Sequence, residues 1–212
     1  MFTNESLSDL LRSIAVSLES PVILILLIII AATIIMLGTL IAELITERLH
    51  MKAKLPALLN ALEKKERGIN DIIRDSGLLK RQIATLMTIA AQTELTALKR
   101  EALAAELIFE EKNHYDLRVK FTDLIMRLGP VFGLLGTLIP LGPGIIALGR
   151  GDTHTLSASL LVAFDTTIAG LISAAVATVI STIRKRWYLK YMMQLETVTE
   201  SLLEAMSANE EI

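Results

Sequence analysis

A chain of 212 residues that is 52% hydrophobic, with a mean hydropathy of +0.54, is too apolar for an ordinary soluble domain and falls in the membrane class. Its net charge of -2 gives no reason to expect a nucleic-acid partner. The absence of cysteine excludes disulfides, thiolate metal sites and thiol nucleophiles.

Residues 1–19 carry Leu7, Leu10, Leu11, Ile14, Val16 and Leu18, which reads as an extracytoplasmic amphipathic helix lying on the membrane surface. Glu5, Asp9 and Glu19 against a lone Arg12, and the length of the apolar run that follows, argue against a signal peptide. A spanning helix needs about 20 apolar residues. Residues 21–42 hold no charge, and the first transmembrane helix is expected over 20–46. Residues 47–126 read as a cytoplasmic helical hairpin. Leu55, Leu58, Leu59, Leu62, Ile69, Ile72 and Ile73 stripe one arm, and Asp75-Ser76-Gly77 marks the turn. Leu79, Ile83, Leu86, Ile89, Leu98, Leu107 and Ile108 stripe an arm that returns unbroken toward the second span.

That second span, 127–149, holds five glycines and three of the chain's five prolines between residues 129 and 144. A helix serving only as an anchor gains nothing from such weakening. Small residues let backbones approach closely, and prolines free carbonyls that other groups must satisfy. Pro130, Gly133, Thr137, Pro140 and Gly144 fall on roughly one face. A short outer loop, 150–156, leads to the third span, 157–184. There Ala163, Thr167, Gly170, Ala174, Ala177 and Ser181 lie within about 80° of arc at about 100° per residue, a small and faintly polar face that suits tight packing or a pore wall. Thr137 and Thr167 both sit about 15 to 17 Å from the outer end of their spans, so two antiparallel neighbours would present hydroxyls at one level. The plainer reading has each threonine bonded to its own backbone.

Asp165 is the one acid deep in an apolar run, where a charge costs about 2.5 to 3.5 kcal/mol. It stands about 160° from Thr167 on the helical wheel, on the side where Thr33 or Thr39 of the first span could meet it. Ion relay and structural hydrogen bonding both remain open for it. The tail, 185–212, forms a cytoplasmic C-terminal helix striped by Tyr188, Tyr191, Met192, Leu195, Val198, Leu202 and Met206, with Trp187, Tyr188 and Tyr191 where an interfacial aromatic belt belongs.

Nineteen of the 21 basic residues fall in the segments after the first and third spans, which makes those segments cytoplasmic and puts the amino terminus outside. His50, His114 and His154 show no ligand spacing, and no phosphate-cradling loop, nucleophile elbow or metal motif is present. Neither an enzyme nor a cofactor is expected. The fold class is all-α, a polytopic membrane protein with three transmembrane helices and a cytoplasmic helical domain.

Gly133-Leu134-Leu135-Gly136-Thr137 in the second span and Thr166-Thr167-Ile168-Ala169-Gly170-Leu171 in the third, in this topology, resemble the MotA/TolQ/ExbB proton channel family, on its ExbB/TolQ side. The resemblance implies a homopentameric ring in the inner membrane whose second and third spans line a pore around two copies of a single-span MotB/TolR/ExbD-like partner. It implies pore roles for Thr137 and Thr167; the residues themselves add Thr166 and Asp165 as candidates for the ion path, and Gly133, Gly136, Pro140, Gly170 and Ala174 for packing or pore lining. The family's transporter branch has a glutamate five residues before its third-span threonine, where this chain has Val162. The function implied is the pore-forming subunit of an ion-driven complex that couples ion flow to mechanical work. The alternatives are a non-conducting scaffold and a self-sufficient channel.

Overall fold

The computed structural model describes residues 4–48, 55–64 and 68–208, and all regular structure among them is helical. His50 and the parts of the expected hairpin at 49–54 and 65–67 lie outside the described residues. The elements are α1 (Asn4–Ser17), α2 (Glu19–Glu43) with a wider π turn at Leu44–Arg48, α3 (Leu55–Lys64), α4 (Ile69–Arg74), α5 (Lys80–Ala90), α6 (Ala97–Gly149) and α7 (Thr153–Ser207). Among the described residues, three helical stretches, Asp9–Thr46, Ala97–Gly149 and Thr153–Ser207, are long and apolar enough to cross a membrane, which makes this a multi-pass membrane protein. The chain divides into two compact units, residues 1–39 with 120–182 and residues 40–119 with 183–212.

In the first unit, α2 buries Val22, Leu26, Ile29, Thr33 and Met36, a three- and four-residue rhythm that defines one packed face on a helix apolar all round. Thr122 of α6 is fully buried and its hydroxyl lies 3.7 Å from the Met36 sulfur. α1 and α2 meet at a single-residue turn, where the Leu18 N–H bonds the Ile14 and Ala15 carbonyls and the Val22 N–H bonds the Leu18 carbonyl. α6 stays helical through Pro130, Pro140 and Pro143.

The connection between α6 and α7 is shorter than the expected 150–156, since α6 ends at Gly149 and α7 begins at Thr153. Gly151 takes a left-handed conformation (φ 77°), and the Asp152 and Gly151 N–H groups bond the Ala147 and Leu148 carbonyls, closing α6 with a paired-bond glycine cap. Asp152 then accepts from the Thr155 N–H at 3.0 Å and the Thr155 hydroxyl at 2.5 Å, starting α7 at once. These bonds hold the Asp152 carboxyl below its ordinary range.

The core of the second unit gathers Leu58 and Leu62 of α3, Ile72 and Ile73 of α4, Leu86 and Ile89 of α5, Tyr115 of α6, and Leu195, Val198 and Leu202 of α7. All but Tyr115 are residues whose periodicity marks the sequence. Three expectations are corrected. The returning arm is broken at 91–96, where the Arg100 guanidinium donates to the Gln92 and Leu95 carbonyls at 3.2 and 2.7 Å and satisfies the interrupted backbone. Leu98, placed on the stripe of that arm, is 78% exposed, because the break resets the helical phase. Tyr188 and Tyr191 form no interfacial belt: they are buried with Tyr115, the Tyr115 and Tyr188 ring centroids 4.5 Å apart.

Candidate functional site

The glycine-rich segment of α6 and the small-residue stripe of α7 pack on each other in one antiparallel register. Gly129 faces Gly170 and Ala174, Gly133 faces Thr166 and Gly170, Gly136 faces Thr166, and Gly144 faces Ser159. A β-carbon on Gly129 would stand 2.7 Å from the Gly170 carbonyl oxygen, and one on Gly136 would stand 2.6 Å from the Thr166 β-carbon. The backbones approach so closely that neither glycine leaves room for a β-carbon. Gly133, Gly136, Pro140, Gly170 and Ala174 are all buried, so each of the five residues expected in packing or lining belongs to the packed side of its helix.

The three threonines occupy two settings. Thr166 is buried in the seam, its hydroxyl donating to the Val162 and Ala163 carbonyls at 2.9 and 3.0 Å. Thr137 and Thr167 adjoin Gly136 and Thr166 in the chain, and the antiparallel register places them within about 3 Å of one level at the edge of the seam, both half-buried. The Thr137 hydroxyl donates to the Leu134 carbonyl at 2.7 Å, and the Thr167 hydroxyl to the Ala163 carbonyl at 3.0 Å. Each is bonded to its own helix, the plainer of the two readings for the isolated chain. Asp165 is exposed, while Thr33 and Thr39 donate to the Ile29 and Met36 carbonyls of their own helix.

Two polar assemblies escape sequence reasoning. In the first unit, Ser181, 3% exposed, donates to an Asp123 carboxylate oxygen at 2.5 Å across the α6 and α7 pair. In the second, the Glu43 carboxylate at the end of α2 receives Arg118 of α6 at 2.7 Å, and Arg184 of α7 through Nε at 3.2 Å and Nη2 at 3.3 Å. The Tyr188 hydroxyl donates to the same carboxylate at 3.2 Å, and burial, then the Glu43 charge, push that phenol up to about 12. A faint signal does exist, since Glu43 and Arg184 are the first charges after the first and third apolar runs and have opposite sign. Nearby, Arg81 holds Glu111 through two bonds at 3.1 and 2.9 Å. His114 is held below its ordinary value by burial, then by the charges of Arg81 and Arg118. No group of three or more histidine or acidic residues able to hold a metal occurs among the described residues.

A close-packed pair of long apolar helices joined by a tight turn, with a third helix long and apolar enough to cross a membrane, defines a multi-pass helical membrane protein. The family model of the MotA/TolQ/ExbB proton channel family matches residues 65–197, which takes in most of α6 and α7, and the chain belongs to that family. No curated protein matches the chain.

Proposed function

We propose that this chain is the pore-forming subunit of a proton-driven complex of the inner membrane, a pentameric ring around two single-span MotB/TolR/ExbD-like helices that couples ion flow to mechanical work. In this reading the amino terminus is outside, and the second unit and the carboxyl terminus are cytoplasmic. One observation carries it. The seam between α6 and α7 is backbone-tight, while Thr137 and Thr167 stand near one level and half-buried at its edge. An ion therefore has no route through the interior of one protomer, and the hydroxyls are available only to a path formed between copies or against a partner helix. A threonine bonded to its own carbonyl still offers lone pairs to a passing proton or carboxyl group.

The non-conducting scaffold draws support from the same seam, since much of the small-residue surface is used within the chain. One measurement separates the two. The complex purified from native membranes through a tag on this chain is reconstituted in liposomes, and proton entry is followed with a trapped pH dye. Thr137→Val with Thr167→Val should abolish the flux while partner and copy number stay unchanged. No flux from the unaltered complex would favour the scaffold, and full flux from the double variant would remove the threonines from the path.

A further inference from the structure

We propose that Asp165 is a docking residue on the flank of the α6 and α7 pair that turns away from the threonines, where it receives a lysine or arginine from a membrane helix of another protein. The inference rests on the reading of this chain as a ring subunit whose threonines turn to the ion path. The two helices run antiparallel and face each other at Gly136 and Thr166. Each turns right-handedly by about 100° per residue, so the residues that follow the facing pair, Thr137 and Thr167, swing to one flank. The residues that precede it, Leu135 and Asp165, swing to the other. Burial separates the flanks in the same way: Thr137 and Thr167 are half-buried, whereas Leu135 and Asp165 are exposed. With the threonine flank on the ion path, Asp165 points away from that path.

Asp165 forms no hydrogen bond or ion pair with any described residue. A lone carboxylate at that depth is costly, and lipid offers it no donor. The chain itself has no cation to bring there, since residues 13–47, 128–149 and 155–183 hold no lysine, arginine or histidine. Copies in a ring share one height along its axis, so a second copy brings none either. The hydroxyls a second copy holds near that level, on Thr137 and Thr167, lie on its opposite flank and donate to their own helices. The surroundings disfavour a water path. Leu161, Ile168 and Ile172 lie within about 60° of Asp165 on the helical wheel and are all exposed. They form an apolar strip about 17 Å long that wets poorly and suits the side of another helix. A helix seated there covers the strip, and a basic side chain near its middle neutralises the carboxylate.

The probe is a spanning peptide of about 20 leucine and alanine residues with one central lysine and a photoreactive diazirine beside it. It is added in excess to the complex purified from native membranes and reconstituted in liposomes, and the labelled residues are mapped by mass spectrometry. The lysine peptide should label residues 161–172 about tenfold more than the same peptide with leucine in place of lysine. Asp165→Asn should remove that difference and Asp165→Glu should keep it, with assembly checked by native mass spectrometry. Equal labelling by the two peptides, or undiminished labelling in Asp165→Asn, overturns the proposal; loss of proton flux in that variant at the same time would assign the carboxylate to the ion path. Should Asp165→Asn fail to assemble, the two peptides compared on the unaltered complex decide. Full flux in the Thr137→Val, Thr167→Val double variant would instead remove the underlying reading, and peptide labelling does not depend on it, so the two failures are told apart.

Discussion

Glu43 holds one carboxylate, 10% exposed, against two guanidinium groups of unequal burial: the Arg184 side chain is 5% exposed and that of Arg118 is 42% exposed. Removing the carboxylate takes the Glu43 ion pair from the buried Arg184, and such a loss costs about 3 kcal/mol. Arg118 faces solvent, and its own removal costs under about 1 kcal/mol. Thermal unfolding in detergent should therefore show a large drop in midpoint for Glu43→Gln and a small one for Arg118→Gln; equal drops would contradict the burial argument. Two neighbours add pH dependence of opposite sense. The Tyr188 phenol, pushed up to about 12, stays neutral in the folded chain while an unfolded tyrosine ionises near pH 10. Folded Tyr188 binds the proton more tightly, so its contribution is complete below about pH 10 and fades as pH rises toward 12. Tyr188→Phe should remove a tyrosinate absorbance that appears near pH 12 in an alkaline titration, about 12 being where the folded phenol ionises. His114 has a lowered pKa, so its contribution is present above the unfolded value of about 6.5 and fades as pH falls below it. His114→Gln should flatten stability on the acid side.

At the scale of the helix, α6 and α7 owe their register to glycine. The contacts at Gly129 and Gly136 leave no room for a side chain, so Gly136→Leu has to spread the pair or rotate one helix. Overpacking of this kind costs about 1 to 3 kcal/mol, and close backbone approach is the main attraction between helices in lipid. Lower thermal stability is expected for Gly136→Leu, but not for Gly142→Leu, where nothing lies within 4 Å of an added β-carbon. The periodicity of α3, α5 and the tail of α7 was legible in sequence because Leu58, Leu62, Leu86, Ile89, Leu195 and Leu202 stand apart from polar neighbours. The packed face of α2 was not, because that helix is apolar on every side and Val22, Leu26 and Ile29 differ in no way from the residues beside them. The break at 91–96 was equally hidden, since residues 78 to 128 contain no glycine or proline and the interruption is stabilised by Arg100 from the following helix.

For the whole molecule, the proposed reading requires several copies. Large apolar side chains remain exposed along both long helices, among them Leu134, Leu138, Leu161, Phe164 and Ile168 in the first unit, and Phe109, Leu117, Leu189 and Met193 in the second. Lipid can cover the first set, whereas in the proposed topology water would face the second unless protein covers it. Native mass spectrometry of the complex should give five copies of this chain with two of a single-span protein, and a stable lone protomer in detergent would contradict the ring.

Sequence alone determined the class, the three apolar stretches, their helical character and the family, because each follows from local composition and short-range periodicity. Tertiary structure decided the pairings: Gly136 against Thr166, Ser181 on Asp123, and Glu43 between Arg118 and Arg184. Such partners are far apart in the chain, and the helical wheel gives only a direction for each side chain. Whether two directions meet depends on the rotation and register of separate helices, which are fixed only when backbones close on one another at the glycines.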